Sequence, residues 1–261
     1  HWPKTYLVQV EGEAGDEQAL AILRDAASAA GFHHVDFLYE PEAAALDYHQ
    51  RSRDRHVVLV VDIGGGTCDL CLAQAGGREA FAPLMSWGDA TGGGDVDYWL
   101  NLLRFMGHFG RNVGAFPNHI YSEAAMVSDV VRQAAFKAYD FRDHEPPYRD
   151  RLVALQADAN TVRVARAAEV LKIHLSSRPE GAAPLDYIEA GLGVTAAQAD
   201  LAAASSFFLA RLDRLLETVQ GAPFPQPGRI LLTGGGSSAP YVAQAVAARY
   251  PGVEIVRGEP S

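Results

Sequence analysis

VVLVVDIGGGTCDLCLA, residues Val57–Ala73, decides how this chain is read. Apolar residues Val57 to Val61 lead into Asp62 and Ile63, the glycines Gly64, Gly65 and Gly66 follow, and Thr67 closes the turn. Cys68 to Ala73 then regains strand character. Two such runs around a glycine turn predict a β-hairpin. Successive glycines let backbone approach a ligand closely, and their N–H groups can form an anion-binding nest. Thr67 adds a hydroxyl donor. Asp62 alone would repel phosphate, so its place at the tip predicts Mg²⁺ between carboxylate and phosphate. A strand follows the glycines, which excludes a dinucleotide-binding fingerprint, and the absence of Gly-Lys-Ser/Thr excludes a Walker A loop. Taken alone, the same residues also read as a plain glycine-rich turn.

Composition narrows the classes around that hairpin. At 261 residues the chain is long enough to bury a core as one large or two smaller domains. Its net charge of −10 argues against a general binder of nucleic acid or of anionic membranes. There is no apolar run long enough for a transmembrane helix, and no signal pattern at the start. The chain opens His1-Trp2-Pro3 without Met, so it is read as beginning inside a longer protein. Its two cysteines, Cys68 and Cys71, have C-x-x-C spacing. On a strand that odd spacing puts them on opposite faces, which disfavours a metal or redox pair and suits a reducing, cytoplasmic setting.

Outward from the hairpin the pattern is mixed α/β. Strands are expected at Tyr6–Val10, Val35–Tyr39, Glu79–Trp87, Leu185–Ala190, Arg229–Thr233 and Val253–Val256. Helices are expected at Glu17–Ala30, from Glu40-Pro41 onward, after the Gly88–Asp97 loop, and over Tyr121–Tyr139, Tyr148–Gln156, Asn160–Ser177 and Ser237–Tyr250. Thr195-x-x-Gln198 reads as a capping box opening a long helix to about Val219. The strands cluster on either side of a largely helical block, which reads as an inserted subdomain.

Three further features carry candidate chemistry. Gly234, Gly235 and Gly236 follow the strand RILLT and precede a helix, where amides can meet an anion. Glu169, Lys172 and Ser176 share one helix face, suited to reading a ribose and a base edge or simply to facing solvent. Glu40 stands at a helix start, where a carboxylate can position water or is merely favourable to the helix dipole.

In this order these pieces resemble the actin/Hsp70/sugar-kinase ATPase superfamily, with the greatest likeness to Hsp70-type chaperones and, in layout, to their short bacterial YegD-like branch. The resembling segments are YEPEAAALDY (Tyr39–Tyr48), DIGGGTCDL (Asp62–Leu70), GGGDVD (Gly92–Asp97), the Glu169–Lys172–Ser176 helix and LLTGGGSSAP (Leu231–Pro240). The resemblance implies an actin-like, ribonuclease H-like α/β ATPase lobe. It divides the chain into the tail of a first lobe (1–56), a second-lobe core sheet (57–92 and 222–261) and an inserted mainly helical subdomain (93–221). It implies ATP/ADP and Mg²⁺ as cofactors, with Glu40, Asp62 and Thr67 as catalytic residues and Asp62 facing the metal. Gly64, Gly65, Gly66, Gly93, Glu169, Lys172, Ser176, Gly234, Gly235 and Gly236 would bind the nucleotide. Implied partners are the nucleotide and co-chaperones or client polypeptides, with neither nucleic acid nor membrane. The first phosphate hairpin and the catalytic lysine of that family have no counterpart here. A filament-forming actin-like protein, a small-metabolite kinase or phosphatase and a non-hydrolysing nucleotide switch share the fold and remain open.

Overall fold

The computed structural model describes residues 13–142, 144–157 and 159–258. The strand expected at Tyr6–Val10 lies outside them. The first helix, α1 (Glu13–Ala29), precedes α2 (Glu40–Arg51), which has Pro41 in its first turn and Glu40 and Glu42 at its positive end. Between them, Val35–Tyr39 is not a strand but an irregular connection with Phe37 and Leu38 exposed. Its β propensity is genuine, but among the described residues no strand lies beside it to complete a ladder.

The hairpin forms as expected from β1 (His56–Ile63) and β2 (Cys68–Ala75), paired antiparallel from His56–Ala75 to Ile63–Cys68. β3 (Ala82–Asp89) pairs antiparallel with β2, and β6 (Arg229–Thr233) and β7 (Glu254–Arg257) extend the sheet in parallel on the other side of β1. The order is β3-β2-β1-β6-β7, so β1 is central and buried from Val58 on. β6 and β7 are joined through α9 (Pro240–Arg249), as a parallel crossover requires. A short turn over Gly235–Ser238 precedes α9, so that helix starts later than the glycine run suggests.

Between β3 and β6 lie α3 (Gly93–Leu100), α4 (Asn118–Ala125), α5 (Val130–Lys137), α6 (Tyr148–Gln156), α7 (Asn160–Leu175), a small hairpin of β4 (Glu180–Pro184) and β5 (Gly193–Ala197), and α8 (Gln198–Gly221). The single helix expected over Tyr121–Tyr139 is broken at 126–129, where Asp129 caps α5 through the Arg132 amide at 3.0 Å. Leu185–Ala190 is the turn between β4 and β5 rather than a strand. Its apolar residues serve as a plug: Leu185 is fully buried, and the ring of Tyr187 lies beneath the Arg163 guanidinium at 3.7 Å. Thr195 belongs to β5, so it does not cap α8; Asp200 does, accepting the Ala197 N–H at 2.8 Å.

Strand alternation sorts the sheet into two faces. Leu59, Val61, Ile63, Cys68, Leu70, Leu72, Ile230 and Leu232 join one apolar cluster that runs on through α3, α7, α8 and α9. Val58, Val60, Cys71, Ala73 and Leu231 form a second, smaller cluster with Ala45 of α2. The two cysteines therefore lie in different cores, both buried and both free thiols, as their spacing implies.

Candidate functional site

The parity that fills the two cores also gathers the acidic side chains. Asp62 continues the Val58–Val60 face and Asp69 the Cys71–Ala73 face, and the register sets Asp62 directly opposite Asp69. That face is covered by α2, whose first residue is Glu40. Glu40, Asp62 and Asp69 thus converge on one cleft of about 200 Å³, walled also by Gly64, Gly65, Thr67, Gly234 and Gly235. It opens at the carboxyl ends of the parallel pair β1 and β6, where ligands enter open α/β sheets.

Like charges opposed across a hairpin are unfavourable. Burial, followed by the neighbouring charges of Glu40 and Asp69, pushes the Asp62 carboxyl up to about 6. Asp69 is also raised, by burial first, while a hydrogen bond from Thr67 works the other way. Thr67 thus steadies Asp69 as well as lining the cleft. Asp69 was not among the residues expected from sequence. A four-residue tip from Gly64 to Thr67 already fixes its pairing with Asp62, and that count is the signal that could have revealed it.

Backbone contacts hold the tip. Gly64 N donates to Thr67 O at 3.0 Å, closing the turn. The start of α3 then grips it, with Gly93 N donating to Gly64 O at 3.0 Å and Gly94 N to Gly65 O at 2.7 Å. The approach leaves no room for side chains: a Cβ on Gly92 would stand 2.7 Å from Gly64 O. Gly234 has φ +79°, and a Cβ there would sit 2.4 Å from Asp62 Oδ1, so only glycine suits it. By contrast a Cβ on Gly65 or Gly235 would meet nothing within 4 Å.

The α7 residues divide. Lys172 Nζ reaches across to α3, donating to Gly93 O at 3.1 Å and lying 2.8 and 2.9 Å from the two Asp97 carboxylate oxygens. Burial raises the Asp97 carboxyl and Lys172 opposes that rise. Gly236 is close by, its Cα 4.0 Å from the position a Gly93 Cβ would take. Tyr241, the second residue of α9, is raised to about 12 by burial and then by the charge of Asp97. Glu169 instead pairs with Arg166 at 2.5 Å on its own helix, and the Ser176 hydroxyl donates to Lys172 O at 3.0 Å. The structure thus brings Glu40, Asp62, Gly64–Gly66, Thr67, Gly93, Lys172 and Gly234–Gly236 around one region, whereas Glu169 and Ser176 make their polar contacts within α7.

The cleft can do specific things. Three carboxylates line it, and the tip glycines and Thr67 present backbone and hydroxyl groups beside them. Such a mix favours an anion delivered together with a divalent cation. Among the described residues no three His, Cys, Asp or Glu side chains stand close enough to hold a bare metal ion. A cation that keeps its waters, as Mg²⁺ does, fits three carboxylates set apart in this way. A larger hollow of about 560 Å³ between β4–β5 and the start of α8 lacks this character; Arg104 in its wall is already committed to Thr195 O at 2.8 Å and lies 3.5 Å from Asp200. No helix among the described residues is long and apolar enough to cross a membrane.

Comparison with known proteins places a likeness on the first half of this site. Residues 15–115 match the model of the family described as Hsp70 protein. The chain is similar to the "Chaperone protein HscA homolog" of Vibrio cholerae serotype O1 (strain M66-2), 39% identical over 93 residues, which are 35% of this chain and 15% of that protein. It is also similar to "Chaperone protein HscA" of Edwardsiella ictaluri (strain 93-146), 42% identical over 78 residues, covering 30% of this chain and 12% of the relative. The chain therefore spans only about 15% of the length of such relatives. Glu40, Asp62–Thr67 and Gly93 fall inside the family match, while Lys172 and Gly234–Gly236 lie beyond it.

Proposed function

We propose that this chain is an Hsp70-type nucleotide-binding module that takes ATP or ADP with Mg²⁺ in the cleft at the hairpin tip. The observation that carries the reading is the convergence of Glu40, Asp62 and Asp69 on a glycine-and-threonine tip that α3 holds from behind. Phosphates would rest against the backbone of Gly64–Gly66 and the Thr67 hydroxyl. Mg²⁺ would neutralise the phosphates against the carboxylates. Asp62, half-protonated at about pH 6 while the cleft is empty, would ionise fully facing that charge, and Glu40 would hold a water on the α2 side. The nucleoside would extend toward Gly93, Lys172 and Gly234–Gly236. With Lys172 tied to Asp97 and Gly93, its first task is to brace this wall rather than to reach out to a ribose.

The family match and the names of the relatives support placing this module in a chaperone; on this reading clients and co-chaperones would be its partners and ATP hydrolysis its reaction. Titration calorimetry with Mg·ADP and Mg·ATP tests the binding directly. Saturable binding that is lost with EDTA and weakened by Asp62→Asn is expected. Absence of heat and of any thermal stabilisation by either nucleotide would overturn the reading.

A further inference from the structure

We propose that Arg211 is a positioning residue for the phosphate side of the cleft, acting through Asp89 and Thr91 on the backbone that grips the hairpin tip. For its effect on ligand the proposal rests on the nucleotide reading above. Arg211 stands in the middle of α8, outside the residues that line the cleft. Its Nη2 lies 2.7 Å from Asp89 Oδ2, and the other oxygen of that carboxylate, Oδ1, accepts the Thr91 hydroxyl at 2.9 Å. Asp89 ends β3 opposite Cys68, the first residue after the tip. Thr91 is buried, and the chain then runs straight into Gly92–Gly94.

Those glycines have no side chains with which to anchor themselves. Besides the Gly93 and Gly94 amides bonded to the tip, polar contacts at either end hold them. On the far end Asp95 accepts the Gly92 N–H at 2.7 Å, and Lys172 holds Gly93 O. On the near end the Asp89 carboxylate is the fixed point, and Arg211 fixes that carboxylate. An ion pair this exposed, with Arg211 at 40%, adds little to global stability. Its contribution is to orientation, and the two are separable by experiment.

The test compares the 261-residue chain with Arg211→Met, Arg211→Lys, Asp89→Asn and the double variant Arg211→Met/Asp89→Asn. In the ligand-free protein, hydrogen exchange at the Gly93 and Gly94 amides should quicken about tenfold in Arg211→Met while β1 and α8 amides keep their rates. Mg·ADP affinity should fall about five- to twentyfold. Affinity for AMP, which has no β-phosphate to rest on the tip, should not change. Arg211→Lys should recover part of the loss, and the double variant should be no worse than either single one. Unchanged exchange at Gly93 and Gly94, or a uniform rise across β1 and α8, would overturn the proposal. If the parent chain binds neither ADP nor AMP, the nucleotide reading falls, and the exchange measurement still decides the role of Arg211.

Discussion

Asp62 is strained electrostatically. Its carboxyl, ordinarily near 3.8, titrates at about 6 in the folded chain because it is buried beside Glu40 and Asp69. The folded state therefore holds a proton that the unfolded chain releases over this range. The stabilisation linked to that proton is full below 3.8 and is lost as pH rises through about 6. Asp62→Asn should then raise the stability of the ligand-free protein at pH 7.5 by about 1–3 kcal/mol, with the gain vanishing near pH 4. Urea titrations in EDTA at both values check this, and an equal gain at both would contradict it. Gly234 is strained sterically instead. With φ +79° and Asp62 Oδ1 2.4 Å from the Cβ position, Gly234→Ala should cost about 2–4 kcal/mol, read from the urea midpoint. The acidic pair was legible at this scale: the cross-strand partner of Asp62 follows from counting the four residues of the tip. The strain at Gly234 was not, since three successive glycines do not say which of them carries the positive φ.

Elements show what local sequence can and cannot reveal. The hairpin, α6 and β6 stand where alternation and helical periodicity put them, because each is specified by its own residues. Val35–Tyr39 and Leu185–Ala190 have strand-like composition, yet among the described residues no strand flanks the first, and the second folds into a plug, both tertiary outcomes. The Lys172–Asp97 link between α7 and α3 spans 75 residues of sequence and was invisible in it. Its weight can be measured. Lys172→Met leaves Asp97 largely buried without its cation and should cost about 2–3 kcal/mol of stability. Adding Asp97→Asn should restore most of that loss, so a double-mutant cycle in urea gives the coupling. Strict additivity of the two changes would refute the pairing.

At the scale of the whole molecule the sheet is a wall between two unequal cores, and the thiols report on each. Cys68 lies in the larger cluster and Cys71 in the smaller, with exposures of 1% and 0%. Because both cores share β1 and β2, they should fail together. Labelling with an aromatic disulfide reagent along a urea series should show both thiols becoming reactive at one midpoint, coincident with loss of helix. Separate midpoints would mean that the α2 side opens on its own. The two-sided core was foreseeable from the buried run of β1, whereas the continuity of the larger cluster from the sheet into the helical block needed the three-dimensional arrangement. The glycines of the cleft finally sort into two kinds. Gly92 and Gly234 are demanded by the protein's own atoms, but around Gly65 and Gly235 there is open space. A methyl group at either of the latter two is silent to the polypeptide and audible only to a guest, so Gly65→Ala and Gly235→Ala turn the molecule into a detector of its own ligand.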